Sequence, residues 1–228
     1  MLTPFGPGLR TADGPEVEVF GFRYPTRMAL IRLSDGTLMA WSPVRLTPAL
    51  RDAVEAFGPL ARIVAPNALH HLSLGDWQAA FPAARLLAPP GLAAKRGDLR
   101  IDAQLGEAPD PAWAGEVDQV MIRTRITDEV VFFHRESATA IVTDLIQRVP
   151  AETLSGWRAV VARLDRMSGP EPQVPRKFRM AMTDRNAARA AVGRILDWPT
   201  QRLLIAHGAP VPVGGGAALR SAFGWLTG

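Results

Sequence analysis

Residues 62–92, RIVAPNALHHLSLGDWQAAFPAARLLAPPGL, contain the local patterns that decide the fold. The apolar run 62–65 predicts a short buried strand, and residues 77–81 belong to a helical pattern. Residues 84–88 predict a second strand, which the Pro-Pro-Gly sequence directly after it ends. A strand, a helix and a strand in this order indicate an α/β protein.

The same alternation extends in both directions along the chain. On the amino-terminal side, residues 16–22 alternate with period two and predict a strand, and residues 27–33 and 37–41 flank an Asp-Gly hairpin signal. Thr47 and Pro48 are typical of the cap and first position of a helix. On the carboxyl-terminal side the patterns predict strands over 119–125, 130–133, 140–143 and 202–206, and helices over 152–167, 184–196 and 217–226.

Hairpins in the first part and strand–helix alternation in the second predict an α/β fold with a mixed sheet or two packed sheets. No internal repeat or low-complexity linker divides the chain, and residues 169–176 are the most loop-like stretch. We therefore expect a single domain over residues 1–228.

The composition excludes several classes of site. The chain has no cysteine, so it has no disulfide, thiolate metal site or cysteine nucleophile. Any metal must be bound by histidine, carboxylate or other oxygen ligands, and only four histidines are present.

The net charge of +4 comes from 26 basic and 22 acidic residues. Basic and acidic residues alternate along the chain without a basic helix, so we expect no nucleic-acid partner. No apolar run is long enough to span a bilayer, and the amino-terminal residues lack the pattern of a signal peptide. The expectation is a cytoplasmic protein without a membrane partner.

Three predicted strands lead to residues that can bind a metal. The strand 62–65 leads to His70 and His71, the strand 140–143 to Asp144, and the strand 202–206 to His207. The loops that leave the carboxyl ends of strands commonly form the ligand site of an α/β protein. Imidazole and carboxylate ligands in this number suit zinc or non-haem iron. Each residue alone is equally compatible with a structural role, such as capping a turn.

The order of these patterns resembles the metallo-β-lactamase superfamily, whose fold is a four-layer αββα sandwich. Residues 26–43 resemble its opening hairpin, 62–92 its strand–motif–helix–strand unit, and 130–145 and 203–208 its later strands that end in metal ligands. In detail the chain resembles a family of degenerate members, a domain of unknown function, marked by PNxxHH, FFHRxSxTxxxTDL and a late AHG.

The resemblance also shows what the chain lacks. Pro66 and Ala68 stand where the superfamily's His-x-His-x-Asp-His motif has its first two histidines, and His70 stands where it has its aspartate. The ligands of one metal site are therefore missing apart from the shared Asp144. The resemblance implies at most one metal, with His70, His71, Asp144 and His207 as its ligands.

Two arrangements of such a site remain open. Four protein ligands would close a zinc site, whereas a catalytic site keeps a position for water. Alternatively His70 points away, which leaves His71, Asp144 and His207 as ligands with room for water.

Further candidates lie around these residues. Asp128 is a candidate general base, because an antiparallel hairpin formed by 130–133 and 140–143 places it near Asp144. The same hairpin places His134 at its distant turn, about 15 Å away, in a polar network with the residues that follow it. Asn67 is a candidate substrate contact or the start of an Asx turn.

Two functional hypotheses follow. The first is a metal-dependent hydrolase with one zinc or iron ion, and the second is a binding or scaffold protein that holds no metal. Both leave a small-molecule ligand and a homo-oligomer open.

Overall fold

The computed structural model describes all residues, 1–228. It contains eleven strands: β1 (Thr3–Gly6), β2 (Leu9–Val19), β3 (Phe22–Arg32), β4 (Leu38–Trp41), β5 (Leu60–Val64), β6 (Arg85–Ala88), β7 (Ala103–Gln104), β8 (Val117–Ile122), β9 (Glu129–His134), β10 (Thr139–Val142) and β11 (Arg202–Ile205). The helices are α1 (Pro48–Phe57), α2 (Leu74–Ala80), α3 (Leu92–Lys95), α4 (Gly156–Asp165), α5 (Arg176–Ala181), α6 (Arg185–Leu196) and α7 (Gly215–Thr227), with a 3₁₀ turn at Ala151–Thr153. None of these helices has the length and apolar character needed to cross a membrane.

The strands form two mixed sheets. The larger sheet has the order β1-β2-β3-β4-β5-β6-β7, antiparallel from β1 to β4 and parallel from β4 to β7. The smaller sheet has the order β11-β10-β9-β8, in which only the pair β10–β11 is parallel.

Three apolar clusters define four layers. The central cluster joins the facing sides of both sheets and includes Ile31, Trp41, Phe132 and Leu204. A second cluster packs α1 and α2 on the outer side of the larger sheet, and a third packs α5, α6 and α7 on the outer side of the smaller sheet. The predicted αββα sandwich is confirmed.

Several local predictions are also confirmed. The chain turns between β3 and β4 at the Asp-Gly signal, and the Thr47 side chain accepts a hydrogen bond from the Leu50 amide at the start of α1 (3.2 Å). The predicted helix 184–196 is α6, with Asp184 as its cap.

Two element predictions are wrong in part. The predicted strand 16–22 contains the turn of the β2–β3 hairpin, where Phe20 and Gly21 both have positive φ (51° and 78°). Two central residues with positive φ are typical of a tight hairpin turn, but phenylalanine is not a turn residue, so the alternation hides the break. The predicted helix 152–167 divides into the 3₁₀ turn and α4, because Leu154 and Ser155 between them have extended backbone conformations.

The register of the smaller sheet fixes one edge of the sandwich. Val142 of β10 lies opposite Ile205 of the parallel strand β11, so Asp144 and His207, each two residues further on, leave the sheet side by side. In the antiparallel pair β9–β10, Ile141 lies opposite Phe132. Continuing that register places Glu129 across from Asp144.

Gly208, which follows His207, provides a test of this packing. It has a φ of 133°, and a Cβ atom there would lie 2.1 Å from the Arg148 carbonyl oxygen. Gly208→Ala should lower the free energy of unfolding by about 3 kcal/mol or more, because backbone strain adds to a clash. Gly36→Ala is the control, since Gly36 has a φ of 82° and open space around it; its cost should be about 1–2 kcal/mol. If chemical denaturation showed the same loss of unfolding free energy for Gly208→Ala and Gly36→Ala, this packing would be contradicted.

Candidate metal centre

Three of the four predicted ligands meet at this edge. His70 Nε2 lies 3.2 Å from an Asp144 carboxylate oxygen and 3.1 Å from His207 Nε2. His207 Nε2 lies 3.5 Å from the other Asp144 oxygen. The three side chains are only 7–11% exposed. They form a group of potential metal ligands whose donor atoms all lie within 4.8 Å of one another.

The spacing of the donor atoms fits one metal ion. Ligand atoms about 2.0–2.1 Å from a tetrahedral zinc ion lie about 3.3–3.4 Å apart. The two imidazole nitrogens are 3.1 Å apart, and each lies 3.2 or 3.5 Å from a different Asp144 oxygen, so the separations lie near this value. A single ion can therefore contact all three side chains with little movement of the donors.

The imidazole of His207 is held in the form that binds metals. Its Nδ1 lies 2.8 Å from the Pro25 carbonyl oxygen, which can only accept a hydrogen bond. Nδ1 therefore carries the hydrogen, and in the neutral ring Nε2 presents its lone pair to the site. Arg27 fixes the same segment by donating to the Ile205 carbonyl (3.0 Å) and to the Gly208 carbonyl.

The imidazole of His70 is oriented by Ser42, whose Oγ lies 2.6 Å from His70 Nδ1. Ser42 follows β4, is 4% exposed and has a positive φ of 49°. Non-glycine residues in this conformation are uncommon and concentrate at functional sites. No pattern in the sequence indicates a role for Ser42.

Asn67 connects the two sheets beneath the ligands. Its Nδ2 donates to Asp144 (2.7 Å), Thr143 Oγ1 (2.9 Å) and Glu129 (3.2 Å), and its Oδ1 accepts from the Leu69 and His70 amides. The Asx turn that the sequence offered for Asn67 is thus present. Asn67 is fully buried and its amide is fully used, so it positions Asp144 and His70.

Glu129 holds the loop that carries Asp144. Its carboxylate accepts hydrogen bonds from the backbone amides of Thr143 (2.8 Å), Asp144 (2.8 Å) and Leu145 (3.2 Å). Glu129 is fully buried. The role of Glu129 could have been predicted from the hairpin of 130–133 and 140–143, because its register places residue 129 opposite residue 144.

The site is electrostatically unusual because two buried carboxylates lie together without a lysine or arginine partner. Burial and the charge of Asp144 raise the pKa of Glu129 to about 7, against the hydrogen bonds it accepts. Burial alone would raise the pKa of Asp144, but hydrogen bonds from His207 and His70 outweigh it and hold that pKa well below its usual range. Burial would lower the pKa of His207, but its contact with Asp144 raises it.

The structure places the other candidates outside this cluster. The His71 imidazole lies against Arg96, 3.1 Å from its Nη1, and burial followed by the Lys95 and Arg96 charges lowers the pKa of His71. Asp128 accepts from the Thr124 amide (3.2 Å) and lies 3.8 Å from Arg123.

The fourth histidine, His134, contacts Ser137 Oγ (2.7 Å) at the far turn of the β9–β10 hairpin. This is the polar turn network that the sequence predicts for His134.

Residues 16–169 match the sequence model of the protein family DUF4336, a domain of unknown function. The chain belongs to this family. No match is found among the curated proteins.

Solved structures show the fold of this DUF4336 member independently. A metallo-β-lactamase from Pontibacter korlensis matches with a TM-score of 0.66 at 12% identity, covering 99% of this chain and 98% of that one. A metallo-β-lactamase from Hirschia baltica matches with a TM-score of 0.65 at 13% identity, covering 100% and 98%. The metal-soaked Flv1 flavodiiron core from Synechocystis sp. PCC6803 gives 0.65 at 13%, covering 99% and 60%. The chain has the metallo-β-lactamase fold.

The chain has only two asparagines, which makes a matched comparison possible. Asn67→Ala should lower the free energy of unfolding by about 2–4 kcal/mol, because it leaves several buried donors and acceptors unpaired. Asn186→Ala, at an exposed position on α6, should change it by less than about 0.5 kcal/mol. Urea denaturation of both variants is the measurement, and similar values for the two would contradict the role of Asn67.

Proposed function

We propose that this DUF4336 protein binds one divalent metal ion, zinc or iron, through His70, Asp144 and His207, and uses it for hydrolysis. The observation that carries the proposal is the close approach of His70, Asp144 and His207, each of which offers a donor atom within 4.8 Å of the other two. Three protein ligands leave a position open, as in catalytic zinc sites. His71 takes no part, because its imidazole faces Arg96.

The charge of the site supports a cation. Asp144 and Glu129 are buried carboxylates with no lysine or arginine partner, and buried charges in proteins are generally paired or coordinate a metal. A divalent ion would balance both charges.

The chain supplies the orientation that such chemistry needs. Ser42 and the Pro25 carbonyl fix the two imidazoles, while Asn67 and Glu129 fix the Asp144 loop. When bound, the metal would polarise a carbonyl or phosphoryl oxygen and lower the pKa of a coordinated water. Asp128, the candidate general base, accepts a hydrogen bond from the Thr124 amide and is not a member of the donor cluster. The central cluster shared by both sheets supports one domain over residues 1–228.

A metal-holding protein without catalysis is the second candidate, and one observation favours it. A cavity of about 630 Å³ lies away from the metal site, at the other end of β3 and β9. Arg10, Arg32, Ser34, Glu116 and Glu136 are among its lining residues. An enzyme site is usually in a large cleft, so turnover has to be measured separately from metal binding.

Metal content tests the first part of the proposal. Protein purified without added metal, then titrated with Zn²⁺ or Fe²⁺, should bind about one equivalent. His207→Ala should weaken binding at least 100-fold, since removing even an outer partner of a ligand costs about 10–100-fold. His71→Ala and His134→Ala are the controls and should bind as the parent does. Less than a tenth of an equivalent, or equal losses in all three variants, would contradict the site.

Hydrolysis tests the second part. The loaded protein should cleave an activated ester or phosphodiester, such as a p-nitrophenyl compound, and chelation should abolish the rate. Ser42→Ala should reduce the rate about tenfold or more while retaining metal, because His70 loses its orienting contact. One bound metal without any turnover of either compound class would favour the second candidate.

A further inference from the structure

Helix α4 exposes an apolar stripe to solvent. Its members follow the spacing i, i+3, i+4, i+7 and are 40–59% exposed: Trp157, Val160, Val161 and Leu164. Such a stripe normally faces a protein core. Here the core side of α4 is provided by Ala162, which is fully buried, and the stripe is left largely uncovered.

The tip of the β2–β3 hairpin extends this surface. Phe20 is 94% exposed and Val19 is 45% exposed. The tip is tied to α4, because Arg158 Nε donates to the Gly21 carbonyl (2.6 Å) and the Phe22 and Trp157 rings meet edge to face at 5.5 Å.

We call Val19, Phe20 and the four stripe residues the α4 patch. The patch contains six of the twelve exposed large apolar side chains of the chain. Contiguous exposed apolar surface of this kind marks interaction sites, whereas scattered residues do not.

The charge around the patch is positive on balance, although the hairpin tip also carries the exposed Glu16 and Glu18. Residues 156–182 contain six basic and two acidic side chains, whereas the rest of the chain contains 20 of each. One of the two acidic groups, Asp165, is engaged by Lys177, whose amide donates to it at 2.9 Å. At about 100° per residue, Arg158 and Arg163 flank the stripe on its two sides. This local excess is hidden in the nearly balanced charge of the whole chain.

We propose that the α4 patch docks the protein on the surface of an anionic lipid bilayer. Aromatic and aliphatic side chains bordered by arginine are the pattern of helices that lie in a membrane interface. The basic excess provides the attraction to anionic headgroups. The sequence-based expectation of no membrane partner rested on the lack of a spanning segment, which a surface-lying helix does not need.

A second copy of the chain in parallel orientation fits the patch less well. A parallel pair of α4 helices brings Arg158 of one copy next to Arg163 of the other, because the two residues lie on opposite sides of the stripe. Like charges so placed oppose association. The proposal does not depend on the metal site, because none of the patch residues contributes a ligand.

The test is co-sedimentation of the full chain with vesicles of phosphatidylcholine alone or with about a third phosphatidylglycerol. We expect binding only to the anionic vesicles and weaker binding at high salt. Phe20→Asn should weaken binding at least tenfold, since it removes a large apolar group while asparagine tolerates the positive φ of 51°. Val160→Ser should act in the same direction.

Charge is tested by a matched pair of arginines. Arg163→Gln should weaken vesicle binding about fivefold, which corresponds to the ~1 kcal/mol that one basic side chain contributes near an anionic surface. Arg45→Gln, exposed and outside the patch, should bind as the parent does, and so should Val213→Ser, which removes an 83% exposed apolar group elsewhere. The proposal would be overturned if the protein failed to bind anionic vesicles, or if the control variants lost as much binding as the patch variants. It would also be overturned by a dimer that Val160→Ser disrupts in a protein that does not bind vesicles.

Discussion

The buried carboxylate of Asp144 is the constraint on which the site depends. It lies at the point where both sheets end, and it is contacted by His70 and Asn67 from one sheet and by His207 from the other. A carboxylate this deeply buried needs several partners at once. The hydrogen bonds that meet this need also set the relative position of the two sheets at this edge.

The groups around Asp144 form two levels, an upper level at the metal position and a lower level behind it. The upper level consists of the imidazoles of His70 and His207, whose contacts with each other a metal ion can replace. The lower level consists of Asn67 and Glu129, which are fully buried and bind the backbone of the loops carrying His70 and Asp144. The upper level is therefore preorganised by groups that a ligand cannot reach, as metal sites generally require.

Much of the fold could be predicted from the sequence because the strands carry clear local signals. The three strand ends that meet at the site were found by apolar runs followed by polar residues, and the parallel register of β10 and β11 then brings Asp144 and His207 together. The choice between His70 and His71 could not be made, because a one-residue difference in a loop reverses the direction of a side chain. Ser42 and Arg96, which are distant in sequence, hold the two rings in different places. Glu129 and the α4 patch were missed for related reasons, since the first depends on pairing between strands and the second on knowing which helix face is covered.

The central claim is that His70, Asp144 and His207 surround one metal position. Anomalous diffraction from crystals of the metal-loaded protein, measured at the zinc or iron edge, tests this claim most directly. The account predicts one peak about 2.0–2.2 Å from His70 Nε2, His207 Nε2 and an Asp144 oxygen, with His71 still beside Arg96. A peak bound by His71, two peaks at this edge, or no peak in protein shown to be folded would contradict it.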